Sequence, residues 1–405
     1  MSKLLIASCD MEVGGVERSL AGMLNAFDYD RHQVDLMLYR HRGDFMELLP
    51  RKANLLEEMP QYATFRASIA DTAKSGQVGI ALSRLLSKAH AGMEGKLRGA
   101  AESGYIQQQL MWSYALPLLP KLKRRYDAAI SYLWPHYFVA DKVQAAVKIA
   151  WIHTDYSTIP TKRSMDVRMW RRFDHIVAVS DACKEAFLEK YGELRGKVTV
   201  IENMISPRMV RSLAAAEIPG NPMAADKRFK LLTVARLSSQ KGLDLAIEAL
   251  RILTDRGYGD IVWYVAGYGG EEEALKRQAE RSGLRDRFVW LGKQTNPYPY
   301  MKACDLYVQP SRYEGKAVTV TEAKMIGKPV LITNYSTAAS QVEDGRDGCI
   351  AELSAEGIAN GIEALYRDAA LRERLAARCA AADYGNEDEI RKLYELMAQD
   401  GRRSG

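Results

Sequence analysis

Short apolar runs alternate with amphipathic helical patterns along almost the whole chain of 405 residues. The strand candidates of the first half are KLLIAS, QVDLMLY, AAISYL, VKIAWIHT, HIVAVS and KVTVI. The second half adds FKLLTVAR, IVWYVAG, FVWLG, LYVQPS, PVLIT and GCIAE. Helical patterns such as GVERSLAGMLNAF and GLDLAIEALRILTDRG fall between the strand candidates. Because strands that alternate with helices form parallel sheets covered by helices, the sequence predicts an α/β fold.

The alternation occurs twice, and a segment with three prolines, residues 206–228, separates the two series. Such a composition suits a linker, and a chain of this length is too long for one compact core. We therefore predict two Rossmann-like domains that face each other across a cleft, residues 1–206 and 207–385. A C-terminal helix and tail follow over residues 386–405, and the sequence does not indicate where that helix docks.

Residues 63–120 depart from the alternation, because they contain helical patterns and no clear strand. We predict that they form a helical insertion in the N-terminal domain. The amphipathic faces of this insertion could cover a groove or contact a membrane. Packing against the domain's own core is the simpler alternative.

Composition is that of an ordinary globular protein, with 47% hydrophobic and 27% charged residues. No apolar stretch approaches the ~18 residues that a membrane span needs, and the first strand is too short for the apolar core of a signal peptide. The five cysteines are scattered and include no CxxC pair, so neither a disulfide framework nor a zinc site is indicated. A cytoplasmic enzyme with reduced cysteines is expected.

The positive charge of the chain is unevenly distributed. Residues 1–206 carry 28 Lys and Arg against 23 Asp and Glu, and basic clusters occur at 121–127 and 162–174. Solvated helix faces explain such clusters, whereas the sharper alternative is an anionic surface or acceptor, including the inner face of the cell membrane. Without an aromatic or helix-turn-helix context the clusters do not indicate nucleic-acid binding.

Two adjacent glycines follow the first predicted strand in the stretch VGGVERSL. Gly14 and Gly15 allow the backbone to approach a bound group closely, and the helix that begins near Val16 adds its positive N-terminal end. A tight strand-to-helix turn that needs a positive φ is the alternative. The glycines alone leave both interpretations open.

Two cations follow the first predicted strand of the second series, in VARLSSQKGLD. Arg236 and Lys241 lie where ligands bind in open α/β sheets, at the C-terminal end of a strand. Two cations on such a loop can bracket a diphosphate without a metal, and each charge-assisted hydrogen bond contributes about 1.5–3 kcal/mol. Solvated surface cations are the alternative, which Gly242 and the position of the loop disfavour.

A pair of glutamates lies in SRYEGKAVTVTEAKMIGKP. Glu314 follows the strand candidate LYVQPS, and Gly315 and a helix come next. The backbone N–H groups that would form an anion site belong to Lys316, Ala317 and Val318. Glu322, about two turns away, can accept both hydroxyls of a ribose, as acidic residues do in dinucleotide sites. Glu314 would lie deeper, at the position of a sugar ring.

In combination these residues resemble the retaining glycosyltransferases of family 4, which have the GT-B fold. The motif RLSSQKG followed by the pair Glu314 and Glu322 carries the resemblance. Further matching segments are GGVERSL, WIHTDY, VAVSDACKEAF, VIENMIS, VAGYGGEEEALKRQAE and VWLGKQTNPYPYMKACDLYVQPSRYEG. The resemblance covers nearly the whole chain except residues 63–120.

The resemblance implies a metal-independent transferase that uses a nucleotide sugar, a UDP-sugar being the leading choice, and no cofactor. Gly14 and Gly15 would contact the donor phosphates. Arg236 and Lys241 would neutralise the leaving diphosphate. His153, in IHTD, would hydrogen-bond the donor sugar; without the resemblance it would be interpreted as a core histidine.

The remaining implied roles concern the second domain. Glu322 would hold the nucleotide ribose, and Glu314 would bind hydroxyls of the transferred sugar and stabilise its positive transition state. The loop that contains Gln294 would meet the base. Where the family has an aromatic residue and a glycine, this chain has Lys316 and Ala317. Lys316 would face a phosphate, an acidic sugar or solvent.

The acceptor would be a saccharide or a lipid-linked molecule in polysaccharide or glycolipid assembly. A nucleotide-sugar epimerase of the same fold and a non-catalytic nucleotide-sugar-binding subunit of a synthase complex are the alternatives. Two motifs are interpreted as coincidental: DYD over residues 28–30, which imitates a metal-binding motif, and GYGGEE over 267–272, which imitates part of a dinucleotide fingerprint.

Overall fold

The computed structural model describes residues 1–12, 14–98, 104–154, 156, 159–314 and 316–399, with the backbone alone at 94–98 and 399. The internal contacts of the chain divide it into two compact units. Unit 1 is Met1–Met204 together with Asn386–Gly405, and unit 2 is Ile205–Gly385. Each unit contains a parallel sheet covered by helices.

Unit 1 contains a seven-stranded parallel sheet with the order β3-β2-β1-β4-β5-β6-β7. Its strands β1 to β7 are Ser2–Ser8, His32–Leu38, Asn54–Leu55, Arg125–Ser131, Gln144–Ile152, His175–Ala178 and Val198–Val200. Apolar side chains of β1 are fully buried, as expected for a strand covered on both faces. The edge strand β3 has only two residues and is absent from the expected strands.

Nine helices of the described part of unit 1 surround this sheet. Helices α1 to α8 are Gly15–Ala26, Pro60–Ala63, Ile69–Lys74, Val78–Arg98, Gly104–Ala115, Tyr137–Lys142, Arg163–Trp170 and Asp181–Lys190, and α17 is Ile390–Gln399. In the described part of the segment 63–120 the regular elements are α-helices and short 3-10 helices. Ile80, Met111 and Trp112 of this segment are buried in the core of unit 1. The insertion therefore packs against the core of its own domain, while one face of α4 stays exposed.

Unit 2 contains a six-stranded parallel sheet with the order β10-β9-β8-β11-β12-β13. Its strands β8 to β13 are Phe229–Val234, Ile261–Ala266, Phe288–Gly292, Leu306–Gln309, Val330–Thr333 and Cys349–Ala351. Helices α9 to α16 are Pro207–Ala214, Pro222–Ala225, Leu243–Asp255, Glu272–Arg281, Tyr298–Ala303, Val318–Met325, Ala355–Arg367 and Ala369–Ala381. All six expected strands of this half are present, with ends that differ by no more than two residues.

The segment expected to be a linker, 206–228, is largely helical. Two of the three prolines that suggested a linker, Pro207 and Pro222, occupy the first positions of α9 and α10, where a missing N–H group costs nothing, and Pro219 lies in the turn between these helices. Ser206 and Asn221 cap these two helices with their side-chain oxygens. Because α9 packs against α13 and α14, and Arg211 donates to the Met325 carbonyl oxygen at 3.0 Å, the segment belongs to unit 2.

The terminal helix α17, whose docking place the sequence left open, packs on unit 1. Leu393 is fully buried there. The ring of Tyr394 stacks on His32 with 4.6 Å between ring centroids, and its hydroxyl accepts from the Asp28 N–H at 2.8 Å.

Both sheets have a point at which the strand order reverses. In unit 1 it lies between β1 and β4, and in unit 2 between β8 and β11. In open α/β sheets ligands bind outside the carboxyl ends of the strands at this switch point. The loops that follow these four strands are therefore where each unit is expected to hold a ligand.

Candidate functional site

The loop after β8 carries both predicted cations of unit 2. Arg236 is exposed, and Lys241 ends a short 3-10 helix, Ser239–Lys241. Gly242 has φ +63°, and a Cβ atom there would lie 2.0 Å from the carbonyl oxygen of Pro310. Only glycine fits, because the loop after β8 is pressed against the loop after β11. The two loops at the switch point of unit 2 therefore touch through their backbones.

Glu314 lies in the loop after β11 and is only 9% exposed. Its Oε1 atom is 2.6 Å from Lys241 Nζ and accepts from Ser311 Oγ at 2.6 Å. Gln309 Nε2 is a more distant donor to the same oxygen, at 3.4 Å. Lys241 is thus held by a carboxylate. A phosphate that engages its ammonium must share it with Glu314.

A layer of polar groups behind Glu314 fixes its position. Gln309 Oε1 accepts from Tyr307 Oη at 2.9 Å, and Thr337 Oγ1 donates to the Glu314 carbonyl oxygen at 2.9 Å. Burial, with smaller contributions from the carboxylates of Glu322 and Glu314, raises the pKa of Tyr307 well above its ordinary value. Its hydroxyl is therefore a neutral donor close to both glutamates. The sequence analysis did not name these residues, although the polar Gln309 in an apolar strand was a signal.

Helix α14 begins at Val318, as expected from the glutamate motif. Ala317 is its N-cap residue and has no side chain that can cap it, so the first N–H groups of the helix are available to an anion only through their backbone. Ala317 is 5% exposed and Lys316 is exposed. Gly315, predicted to contact the donor, lies outside the described residues.

Glu322 lies in the second turn of α14 and is fully buried. Its Oε1 atom accepts from Tyr298 Oη, at the start of α13, at 2.8 Å. Tyr298 was not among the expected site residues, because nothing in the sequence connects it with a residue 24 positions away. The carboxylate predicted to hold a ribose is thus already oriented by a buried tyrosine.

Gln294 lies in the loop between β10 and α13 and is partly buried. Its Nε2 atom donates to the Leu291 carbonyl oxygen at 2.6 Å. Tyr298 follows four residues later, so this loop leads directly to the hydroxyl that contacts Glu322. Among the described residues of unit 2, Lys241 therefore contacts Glu314, and Tyr298 donates a hydrogen bond to Glu322.

The two glycines of unit 1 lie at the start of α1. Gly14 is the N-cap residue with φ −166°, which is extended backbone that any residue adopts. The interpretation as a turn that needs positive φ is therefore wrong for Gly14. A Cβ atom there would lie 2.3 Å from Glu17 Oε2, whereas at Gly15 it would meet nothing within 4 Å. The absence of a side chain at Gly14 leaves room for the Glu17 carboxylate, and Gly15 borders open space.

His153 follows β5, and its ring centroid is 4.6 Å from that of Tyr132. His136, after β4, is fully buried, and its Nδ1 is 2.8 Å from Ser131 Oγ. Burial lowers the pKa of each histidine to about 3. Both imidazoles are therefore neutral at ordinary pH and can act as hydrogen-bond donors or acceptors.

Several buried polar atoms at this edge of unit 1 have no hydrogen-bond partner among the described residues. They are Ser8 Oγ, Asp10 Oδ1, Trp134 Nε1, His136 Nε2 and His153 Nε2. Asp10 is 2% exposed, and its other oxygen lies 3.8 Å from Arg66 Nε. Because buried polar groups are normally satisfied, such a set indicates a place for a polar ligand or water. Of these residues, the sequence analysis named only His153.

The two motifs interpreted as coincidental have structural roles. Asp28 and Asp30 lie in the turn between α1 and β2, where Asp28 Oδ1 accepts from the Asp30 N–H at 3.1 Å. Across the described residues, no group of three His, Cys, Asp or Glu side chains could hold a metal ion. Cβ atoms at Gly267 and Gly269 would lie 1.8 Å and 2.3 Å from the carbonyl oxygens of Ala235 and Leu237. These glycines therefore let the loop after β9 pack on the loop that carries Arg236.

Residues 216–380, which lie within unit 2, match the family model of the group 1 glycosyl transferases. An uncharacterized glycosyltransferase of Haemophilus influenzae is 27% identical over 228 residues, which is 55% of this chain and 61% of the relative. The amylovoran biosynthesis glycosyltransferase AmsK of Erwinia amylovora is 32% identical over 43% of this chain and 46% of its own length. The chain thus spans less than two thirds of each of these relatives.

The solved structure of Anabaena Alr3699/HepE in complex with UDP and glucose is similar over 98% of this chain and 100% of the other, with a TM-score of 0.68 and 19% identity. Together with the strand orders described above, this similarity shows the fold. The chain therefore has the GT-B fold with two Rossmann-like units, and most of its unit 2 is similar to the group 1 glycosyl transferases.

Proposed function

We propose that this protein is a retaining glycosyltransferase that moves a sugar from a UDP-sugar to an acceptor hydroxyl without a metal ion. The acceptor is a saccharide or lipid-linked intermediate of polysaccharide or glycolipid assembly. Two relatives support this proposal by their names, since the Anabaena protein was solved with UDP and glucose and the Erwinia protein acts in amylovoran biosynthesis.

The observation that carries the proposal is the ion pair between Lys241 and Glu314, with 2.6 Å between Nζ and Oε1. It joins the loops that follow β8 and β11, on the two sides of the switch point where a nucleotide is expected. The exposed Arg236 lies on the first of these loops, and helix α14 begins after the second. This arrangement supplies two cations and a helix N-terminus to a diphosphate.

The chemistry that these residues serve is departure of a nucleoside diphosphate. Arg236 and Lys241 neutralise the charge that grows on the leaving phosphate, so they stabilise the transition state more than the bound donor. Glu314, close to Lys241, accepts hydroxyls of the transferred sugar and stabilises its developing positive charge. Glu322 accepts the ribose hydroxyls.

Retention of anomeric configuration follows if the acceptor attacks from the face that the diphosphate leaves, with the departing phosphate taking the acceptor proton. No protein base is then required, in contrast to glycosidases, which place two carboxylates on opposite sides of the bond. Gly14, Gly15 and His153 belong to the other unit, and their contact with the same donor stays a prediction. The Oδ1 atom of Asp10, which has no partner among the described residues, is proposed to accept from an acceptor hydroxyl.

The test is donor binding and transfer by the full chain in the presence of EDTA. A panel of UDP-, GDP- and ADP-sugars is titrated by calorimetry, and slow hydrolysis is followed by chromatography. We expect one UDP-sugar to bind, Arg236→Ala to weaken its binding, and the matched variant Arg346→Ala to bind as the wild type does. Arg346 is a suitable control because it is an exposed arginine of unit 2 that pairs with Glu343.

Three outcomes would contradict the proposal. Release of an epimerised sugar nucleotide without an acceptor would indicate the epimerase. Binding without turnover across a wide acceptor panel would indicate the non-catalytic subunit. No binding of any sugar nucleotide, with or without metal, would exclude a donor site in unit 2.

A further inference from the structure

Helix α4 in the insertion of unit 1 is amphipathic in the reverse of the usual sense. Among residues 78–93, whose side chains the structure describes, Ile80 enters the core near the start of the helix, and the rest of the buried side carries the small or hydroxyl side chains of Ala81, Ser83, Ser87 and Ala91. The two serine hydroxyls donate to carbonyl oxygens of their own helix, at 2.7 Å and 2.8 Å, so their burial leaves no polar group unsatisfied. A soluble helix normally turns its apolar stripe inward.

The solvent-facing side of α4 carries large aliphatic side chains. We call this side the α4 face; its members are Val78, Leu82, Leu85, Leu86 and Met93, which are 63%, 55%, 51%, 55% and 61% exposed. Their spacing of four, three, one and seven residues places them on one stripe of the helix. Single exposed apolar residues are normal, but a continuous patch of this kind marks an interaction surface.

A neighbouring residue extends the α4 face at its N-terminal end. Leu118 is 51% exposed, and a Cβ atom at Gly79 would lie 3.2 Å from its Cδ1 atom. Lys121 and Lys123 follow three and five residues later and are exposed. Because three residues of chain span at most about 11 Å, Lys121 lies at the margin of the patch.

The cations around the α4 face are lysines that point to solvent. Lys74 at the end of α3 and Lys88 on α4 itself are also exposed. By contrast, Arg84 is turned inward and donates to the Thr64 carbonyl oxygen at 2.8 Å. Asp71 is the acidic residue of the neighbouring α3, and its carboxylate accepts from Ser68 Oγ at 2.6 Å.

We propose that the α4 face lies in the interfacial region of a lipid bilayer with anionic headgroups, with the surrounding lysines against the phosphates. Aliphatic side chains flanked by lysine are the composition of helices that lie in the plane of a membrane interface. Protein interfaces, in contrast, are depleted in lysine and rely on tryptophan, tyrosine and arginine. No helix within the described residues is long and apolar enough to cross a membrane.

This inference rests on the proposed function where the acceptor is lipid-linked, and it names the surface and the lipid class that would bring the protein to such an acceptor. Vesicle binding is measured without sugar transfer, so its failure is distinguishable from failure of the transferase proposal. A bilayer surface would hold a lipid-linked acceptor close to unit 1.

The experiment is co-sedimentation of the full chain with vesicles of phosphatidylcholine alone and of an equimolar mixture with phosphatidylglycerol. The test variant is the double substitution Leu82→Ser with Leu86→Ser, which changes only exposed side chains. The control is Leu55→Ser with Leu353→Ser, at two exposed leucines outside α4. We expect binding to the mixed vesicles, a loss of about tenfold or more in the test variant, and no loss in the control.

A second variant tests the charged margin. Lys121→Glu with Lys123→Glu is expected to weaken binding to the mixed vesicles about 30-fold or more, because the loss of each lysine near an anionic surface weakens binding about fivefold. Equal binding by the wild type and the leucine variant would overturn the proposal. So would a wild-type dimer in analytical ultracentrifugation that the leucine variant converts to a monomer, because a second copy of the chain would then cover the α4 face.

Discussion

The two units share one strand order around their switch points, yet the polar groups at these points are arranged in opposite ways. In unit 2 the charged side chains have partners. Lys241 forms an ion pair with Glu314, and Glu322 accepts a hydrogen bond from the Tyr298 hydroxyl. In unit 1 buried polar atoms of Asp10 and His153 have no partner within the described residues. The difference indicates that unit 2 is organised for an anion before any ligand binds, whereas unit 1 leaves its hydrogen bonds for the ligand to complete.

Pre-organisation of this kind has a physical advantage for the departure of a diphosphate. A cation held by a buried carboxylate does not have to be ordered when charge develops, so its stabilisation of the transition state is not reduced by side-chain entropy. The unpaired atoms of unit 1 have the opposite property. They cost free energy in the unbound protein, and they favour a ligand that supplies hydroxyl groups at matching positions.

The largest expected effect concerns the paired cation of unit 2. Replacement of one preorganised group that stabilises a developing anion costs about 10²–10³-fold in kcat. We therefore expect Lys241→Met to lower kcat by that amount, measured as release of UDP from the donor identified in the panel. The same variant leaves the Glu314 carboxylate buried without its cation, so the free energy of unfolding should fall by about 1–3 kcal/mol.

Lys276→Met is the matched control for this variant. Lys276 is a partly exposed lysine of unit 2 that pairs with Glu272 on the same helix. Its loss should leave kcat unchanged because α12 lies outside the loops that follow β8 and β11, and it should change the free energy of unfolding little because exposed pairs within a helix contribute little to stability. Equal effects of the two substitutions would show that Lys241 does not act on the leaving group.

The second prediction separates the buried glutamate from the tyrosine that orients it. Glu322→Ala should weaken UDP binding by roughly 10- to 150-fold, the value of one hydrogen bond to a charged group. Tyr298→Phe keeps the carboxylate and removes only the hydroxyl that donates to it. We expect this variant to bind UDP with a smaller loss and to lower the free energy of unfolding by about 1–3 kcal/mol.

Calorimetry with UDP and denaturant unfolding of the same two preparations provide the measurements. If Tyr298→Phe weakened UDP binding as much as Glu322→Ala, orientation of the carboxylate would be essential. If neither variant changed UDP binding, the ribose would be held elsewhere. The hydrogen bond between Tyr298 and Glu322 would then have no role in ligand binding, and the difference between the two units would not be related to function.

The third prediction concerns the unpaired side. Asp10→Asn should raise the acceptor KM about tenfold, because an amide oxygen is a weaker acceptor for a hydroxyl than a carboxylate. Donor affinity should not change, since the donor contacts predicted for unit 1 are those of Gly14, Gly15 and His153 and not of Asp10. Asp30→Asn, at an exposed turn residue of the same unit, is the control. A loss of donor affinity in Asp10→Asn, with the acceptor KM unchanged, would assign this carboxylate to the donor.

Only some of the residues in these predictions could be identified from patterns in the sequence. The strands were recognisable because a fully buried strand needs a continuous apolar run, and the positions of Lys241 and Glu314 followed from the strands that precede them. The two-residue strand Asn54–Leu55 is too short to produce a pattern. The segment 206–228 was misjudged because proline at the start of a helix resembles proline in a linker.

The partners of the site residues could not be predicted in the same way. Tyr298 meets Glu322 only after β11 has placed α13 beside α14. Asp10 Oδ1 has no partner among the described residues while Oδ2 lies 3.8 Å from Arg66 Nε, a contact between segments 56 residues apart that no motif connects. Hydrogen bonds between distant segments are set by packing and not by local propensity, so the sequence indicated the loops that are proposed to bind the donor but not the contacts that hold them.

The smallest expected effect is a difference between the two units in how the free energy of unfolding depends on pH. All six histidines of the chain lie between positions 32 and 175, so unit 2, Ile205–Gly385, contains none. Burial lowers the pKa of His136 and His153 from 6.5 to about 3. Between these values the unfolded chain binds more protons than the folded one, so the free energy of unfolding of unit 1 falls as pH decreases below 6.5.

For each histidine the slope is at most about 1.4 kcal/mol per pH unit, a tenfold change in the unfolding equilibrium. We expect His136→Gln to have a smaller slope than the wild type between pH 6.5 and pH 5, measured by denaturant unfolding at a series of pH values. His41→Gln is the control, because the side chain of His41 lies at the surface. Equal slopes in all three proteins would mean that His136 takes up a proton in the folded state. The polar atoms without a protein partner in unit 1 would then be hydrogen-bonded to water. The two units would differ in whether water or protein groups satisfy their polar atoms.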